Sequence, residues 1–256
     1  MHHLTQTLAI GLALGAFVVG CQSAPQPVKD TKTTKATHAM PSHAKGGEGH
    51  DMETLPVEKR VAFMSGHVEA GLALYRAGAP GQAAKHLLHP VSETHQAERA
   101  GIDALGFTAD VFEAVSKALD EGKAAAEIEP MLKQCEANMA LMQKNAGGDS
   151  KVIIAYLMDT VDEEYAIGVK EGKITDPGEY QDAFGFTVVA HKIAKRLTKV
   201  KQNNYSFVKA NALVTALEAL HATWPKGGPL ADSTPTAVDT VKGLTGKVRE
   251  ALSALP

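Results

Sequence analysis

From residue 57 onward the apolar side chains return every three or four positions. Val57, Val61, Met64, Val68, Gly71 and Tyr75 fall on one helix face, and so do Ile154, Met158, Val161, Tyr165 and Gly168. Ala183, Phe186, Ala190, Ile193, Leu197 and Val200 make a third stripe. Val238, Val241, Leu244, Val248, Leu252 and Leu255 make a fourth. No segment alternates with period two, so the pattern predicts helices throughout. In "DPGE", Asp176 has the place of an N-cap, Pro177 the first helical position and Glu179 that of a capping-box carboxylate. "STP" at 233–235 predicts the start of the last helix in the same way, and "NAGGDS" at 145–150 and "WPKGGP" at 224–229 read as breaks. Connections this short place neighbouring helices antiparallel. The expected fold is an all-α, antiparallel multi-helix bundle of roughly seven to nine helices over residues 56–256.

The first 55 residues follow a different pattern. The apolar run Leu8–Val19 ends in Gly20-Cys21 and is followed by polar, proline-containing sequence. It is shorter than the roughly 20 apolar residues needed to span a bilayer and has the length of a signal-peptide core, so residues 1–20 read as a signal peptide. "VVGC" resembles the lipobox of bacterial lipoproteins, which implies that Cys21 receives lipid and becomes the new N-terminus. The segment ahead of the run departs from that pattern, with His2 and His3 where Lys or Arg is usual. Residues 21–55 contain almost no large apolar side chains and read as a disordered tether. The implied location is the cell envelope, on the periplasmic side. Gln22 after the cysteine points to the outer membrane rather than the inner one. The net charge of −3 is small and mixed along the chain, which gives no support for nucleic-acid binding.

Candidate chemistry concentrates in "KHLLHPVSETH", residues 85–95. His86 and His89 share a helix face, and Pro90 cannot continue the hydrogen-bond ladder, so the helix is expected to end near His89 and the next to open at Pro90. That corner could turn His86, His89 and Glu93 to one point with His67, which lies between Gly66 and Gly71, two positions that let another helix come close. Imidazoles with a carboxylate suit iron, copper, zinc or nickel. The alternative is a set of helix-end and surface histidines bonded to carbonyls and water. Met131, Cys135, Met139 and Met142 form a sulfur stripe that reads as core packing. The tether's His38, Met40, His43, His50 and Met52 read equally as a loose metal-capturing tract or a plain spacer. A second candidate region lies at 159–186, where Glu163, Tyr165, Glu179 and Tyr180 cluster around two helix ends. Oxygen ligands of that kind suit Fe(III), and ordinary capping and solvated carboxylates are the alternative.

Within that region Glu-Tyr, Gly-Lys-Ile, Asp-Pro, Glu-Tyr-Gln-Asp and Gly-Phe follow one another. The run resembles the extracytoplasmic helical domain attached to FTR1-type bacterial iron permeases, over about 30 residues. The resemblance implies a periplasmic helical bundle connected with iron or other metal handling, and a metal permease or another envelope protein as partner. The permease's own "REGLE"-type motif and its membrane helices are absent, which excludes transport by this chain alone. "SGHVEAG" resembles the short His-plus-Glu motif of imelysin-like periplasmic iron-uptake proteins.

Enzyme motifs are missing: there is no GxSxG, no phosphate-binding glycine loop, no HExxH and no CxxCH. The sequence therefore predicts a non-enzymatic, lipid-anchored, extracytoplasmic helical protein that binds a transition metal, iron first and copper or zinc after it. Two competitors stand beside it. One is a metal-free envelope interaction or scaffold lipoprotein, and the other a non-covalent haem binder using His67 or His191.

Overall fold

The computed structural model describes residues 55–92, 99, 101–199 and 204–256. Cys21, the tether with its histidines and methionines, Glu93 and His95 lie outside the described residues. Among the described residues eight α-helices follow one another: α1 (Val57–Arg76), α2 (Pro80–Leu88), α3 (Ala109–Asp120), α4 (Ala125–Ala146), α5 (Ser150–Gly168), α6 (Pro177–Lys199), α7 (Asn204–His221) and α8 (Val238–Ser253). The all-α bundle expected from periodicity is the fold found.

The helix boundaries have local causes. Gly78 follows α1 with φ of +80°, the left-handed conformation that ends a helix without a Cβ clash. Asp149 caps α5 by accepting from the Lys151 amide at 2.7 Å. Asp176 caps α6, accepting from the Gly178 amide at 3.0 Å, and Pro177 opens the helix.

Three local expectations are corrected. The "VKEGKI" segment between α5 and α6 is a two-stranded hairpin, β1 (Val169–Lys170) and β2 (Lys173–Ile174), with Val169 opposite Ile174. Its two-residue turn places both Glu171 and Gly172 at positive φ, as a type I′ turn requires. Two residues per strand are too few for period two to register. The "STP" segment does not cap a helix, since α8 begins at Val238 after Ala237, without a side-chain cap. Its neighbour Thr236 is instead a tie point, donating to the Thr223 carbonyl and accepting from the Tyr165 hydroxyl, both at 2.8 Å. Pro90 does not open an α-helix either; it lies in a single 3-10 turn, His89–Val91, that closes α2.

The described helices hold two apolar cores. One fills the space among α5, α6, α7 and α8, around Tyr165, Tyr180, Phe186, Leu213 and Trp224. The other joins α1, α2, α3 and α4 around Met64, Leu72, Phe112 and Leu132, and contains Cys135, Met139 and Met142. The sulfur stripe is therefore core, and burial pushes the Cys135 thiol up to about 12. Helices α1 and α6 cross at the seam between the two cores. Nine consecutive residues of α6, Glu179–Thr187, are buried, so this stretch of the helix is enclosed on every side.

Two glycines set the crossing distance. A Cβ on Gly185 would fall inside the contact radius of the Gly66 carbonyl oxygen, and a Cβ on Gly66 would penetrate the Phe186 ring. Gly185→Ala must therefore push α1 and α6 apart, and is expected to lose about 1–3 kcal/mol or more in chemical denaturation. Gly243→Ala, in an open position on α8, is expected to gain roughly 0.5–1 kcal/mol because only the helix-propensity effect remains. Equal effects from the two substitutions would refute a seam set by glycine contact.

Candidate metal centre

Asp182 lies at the middle of the enclosed stretch of α6 and is 2% exposed. A lone carboxylate there would be driven to protonate by desolvation. Two histidines prevent it. His67 Nδ1 from α1 donates to Asp182 Oδ1 at 2.6 Å, and His86 Nδ1 from α2 donates to the same oxygen at 2.9 Å. Burial alone would raise the Asp182 pKa, but the two imidazoles and their hydrogen bonds outweigh it and hold the carboxyl far below the usual range. Burial likewise opposes charge on His86, and Asp182, Gln181 and Glu179 reverse that effect and raise its pKa.

Each ring is fixed from behind. His86 Nε2 donates to Gln181 Oε1 at 2.8 Å, and the Gln181 amide nitrogen donates to Gln82. His89 stacks on His67 with ring centroids 3.4 Å apart and planes 14° apart. Phe63 and Phe186 meet the His67 ring edge-on at 4.8 and 5.5 Å. Histidine ligands in metal sites are usually held by such outer contacts.

His67, His86 and Asp182 each offer a donor atom, and these atoms lie within 4.8 Å of one another, the only such group among the described residues. An ion about 2.0–2.1 Å from tetrahedral ligands keeps them about 3.3 Å apart. The two nitrogen–oxygen contacts would therefore open by less than about 1 Å to admit one. Two nitrogens and one oxygen is a donor set that suits iron or zinc.

The residues read from sequence divide as follows. His67 and His86 come together, His89 is buried and stacks on His67, and Glu93 lies outside the described residues. From the second region Glu179 turns inward beside His86. Burial first, then its hydrogen bond to Glu179 and the neighbouring carboxylates, push the Glu164 carboxyl well above the usual carboxylate range. The other members point away: Tyr165 and Tyr180 pack against each other and Trp224 at ring distances of 5.3–6.1 Å, and Glu163 lines an open groove with Asp159, Asp162 and Arg249. Asp182 was absent from both ligand sets. Its signal is a charge directly preceding a helix segment, Ala183–Phe186, of small and aromatic residues.

The pH dependence follows from the two opposed shifts. Asp182 has a depressed folded pKa, so its contribution is complete above the unfolded value, about 3.9, and is lost as pH falls through the folded value. His86 has a raised folded pKa, so its contribution is complete below about 6.5 and is lost as pH rises through the folded value. The metal-free protein should therefore hold both contributions between about pH 4 and 6.5. Asp182→Asn should cost about 3–5 kcal/mol within that window and flatten the dependence, as read by urea denaturation across pH. An unchanged profile would contradict the pairing.

No curated protein and no solved structure matches this chain. Residues 143–255, from the end of α4 through α8, match one family, described as the iron permease-associated 4-helix bundle domain, the kind of domain that the Glu-Tyr to Gly-Phe run resembles.

Proposed function

We propose that this protein is a lipid-anchored, extracytoplasmic helical protein that binds a transition-metal ion, iron first, through His67, His86 and Asp182, and serves iron uptake or homeostasis beside a permease. The observation that carries the reading is the convergence of two buried imidazole nitrogens on one buried carboxylate oxygen. A pair of histidines with one carboxylate and open positions suits non-haem Fe(II), and copper and zinc take similar donors.

The permease partnership is supported by the description of the matched family. Among the described residues no helix is long and apolar enough to cross a membrane, so in this reading attachment rests on lipid at Cys21. His89 has a supporting part, holding the His67 ring by stacking.

The test is elemental analysis of the full chain purified without chelator. Roughly one ion per chain is expected, falling to background when His67→Ala and Asp182→Asn are combined, with helicity retained. Gln181→Leu leaves all three ligands in place and should weaken binding about 10–100-fold through loss of the His86 support. No bound metal after incubation with Fe(II), Cu(II) and Zn(II) in turn would overturn the proposal in favour of a metal-free envelope interaction protein. A Soret band on adding haem, without metal-ion binding, would replace it with haem binding.

A further inference from the structure

A second cavity of about 920 Å³ opens between the end of α1, the middle of α6 and the loop after α7. That is within the size range of small-molecule sites. Its floor is apolar and aromatic, with Phe184, Trp224, Ala73 and Val188, and its rim carries four cations, Arg76, Lys192, Lys195 and Lys226, against two carboxylates, Glu69 and Glu218, the latter 3.4 Å from His191. The rim cations differ in what already balances them. Lys192 pairs with Glu69 at 2.5 Å and Arg76 with Glu136 at 3.0 Å. Lys195 and Lys226 have no carboxylate within ion-pair distance among the described residues. Two histidines, His191 and His221, also line the cavity. Burial lowers the pKa of both, and the charge of Lys195 lowers that of His191 further, against the opposing effect of Glu218, 3.4 Å from His191 Nε2.

The chemistry of this lining selects among ligands. A bare metal cation would meet the unbalanced charges of Lys195 and Lys226, so the cavity is unsuited to one despite its two imidazoles. An inorganic anion would satisfy the rim and leave the aromatic floor uncovered. Lysine ammonium groups are separate point charges rather than planar forks, which fits carboxylates spread over a carbon skeleton. We propose that this cavity binds a small organic polycarboxylate anion, its skeleton lying over Phe184 and Trp224 and its carboxylates reaching Lys195 and Lys226. The site is separate from the His67–His86–Asp182 centre and needs no metal ion, so each proposal can fail without the other.

Trp224 is the single tryptophan of the chain and lies on the cavity wall, so its fluorescence reports the cavity directly. Titration of the full chain with citrate in metal-free buffer should give a saturable fluorescence change. Lys195→Gln and Lys226→Gln, both at exposed positions, should each weaken it about tenfold or more, as expected for removing one charged hydrogen-bonding partner. Gln replacement of Lys209, a lysine that does not line the cavity, should leave the affinity unchanged. Inorganic phosphate at matched ionic strength should give no saturable change. The proposal is overturned if citrate produces none, if phosphate binds equally well, or if citrate affinity survives the combined Lys195→Gln and Lys226→Gln substitution in a protein with unchanged circular dichroism.

Discussion

The carboxylate of Asp182 sits within an unbroken run of buried residues on α6, and its neighbours are arranged so that it stays charged there. Removing a carboxylate from water costs several kcal/mol even after the protein relaxes. The balance comes from two imidazoles on separate helices, His67 on α1 and His86 on α2, both meeting the same oxygen. This one group therefore fixes how three helices meet. If α1 slid along α6, His67 would leave Asp182, and if α2 rotated, His86 would turn away from both Asp182 and Gln181. The apolar cores on either side give the helices their cohesion, and the buried ion pair selects one alignment at the seam.

Much of this arrangement could be read from the amino-acid pattern, and the parts that could not share a physical cause. Helical stripes such as Ile154–Gly168 are local, because burial repeats with the helix turn and shows in composition alone. Asp176 and Pro177 mark the start of α6 through bonds made within three residues. His67 and His86 are legible because histidines clustered in sequence are candidate ligands whatever the fold. Asp182 is not, because its partners lie 115 and 96 residues away and nothing local to it signals their presence. Tyr165 and Tyr180 misled for the converse reason. They are near Glu179 in sequence, but successive helical positions point in different directions, so the phenols turn to Trp224 while Glu179 turns to His86.

The matched region and the candidate site do not coincide. Residues 143–255 supply α5 to α8 and all but Ala62 of one apolar core, with Asp182 on the face of α6 that this core leaves uncovered. Residues before the match supply both histidines, the outer contacts of Phe63, Gln82 and His89, and the second core. A four-helix bundle alone would present Gln181 and Asp182 to solvent. The preceding helices therefore turn an exposed polar patch into a dry, crowded site in which charge interactions are strong.

Gly66 and Gly185 have an effect beyond packing density. Gly66 precedes His67, and Gly185 follows Asp182 by three positions, so the place where the two backbones touch is also the place where the two donor atoms meet. Main chain against main chain fixes how closely the two helices approach there, so an ion entering between the donor atoms has to be admitted by adjustment of the side chains that carry them, not by movement of the helices.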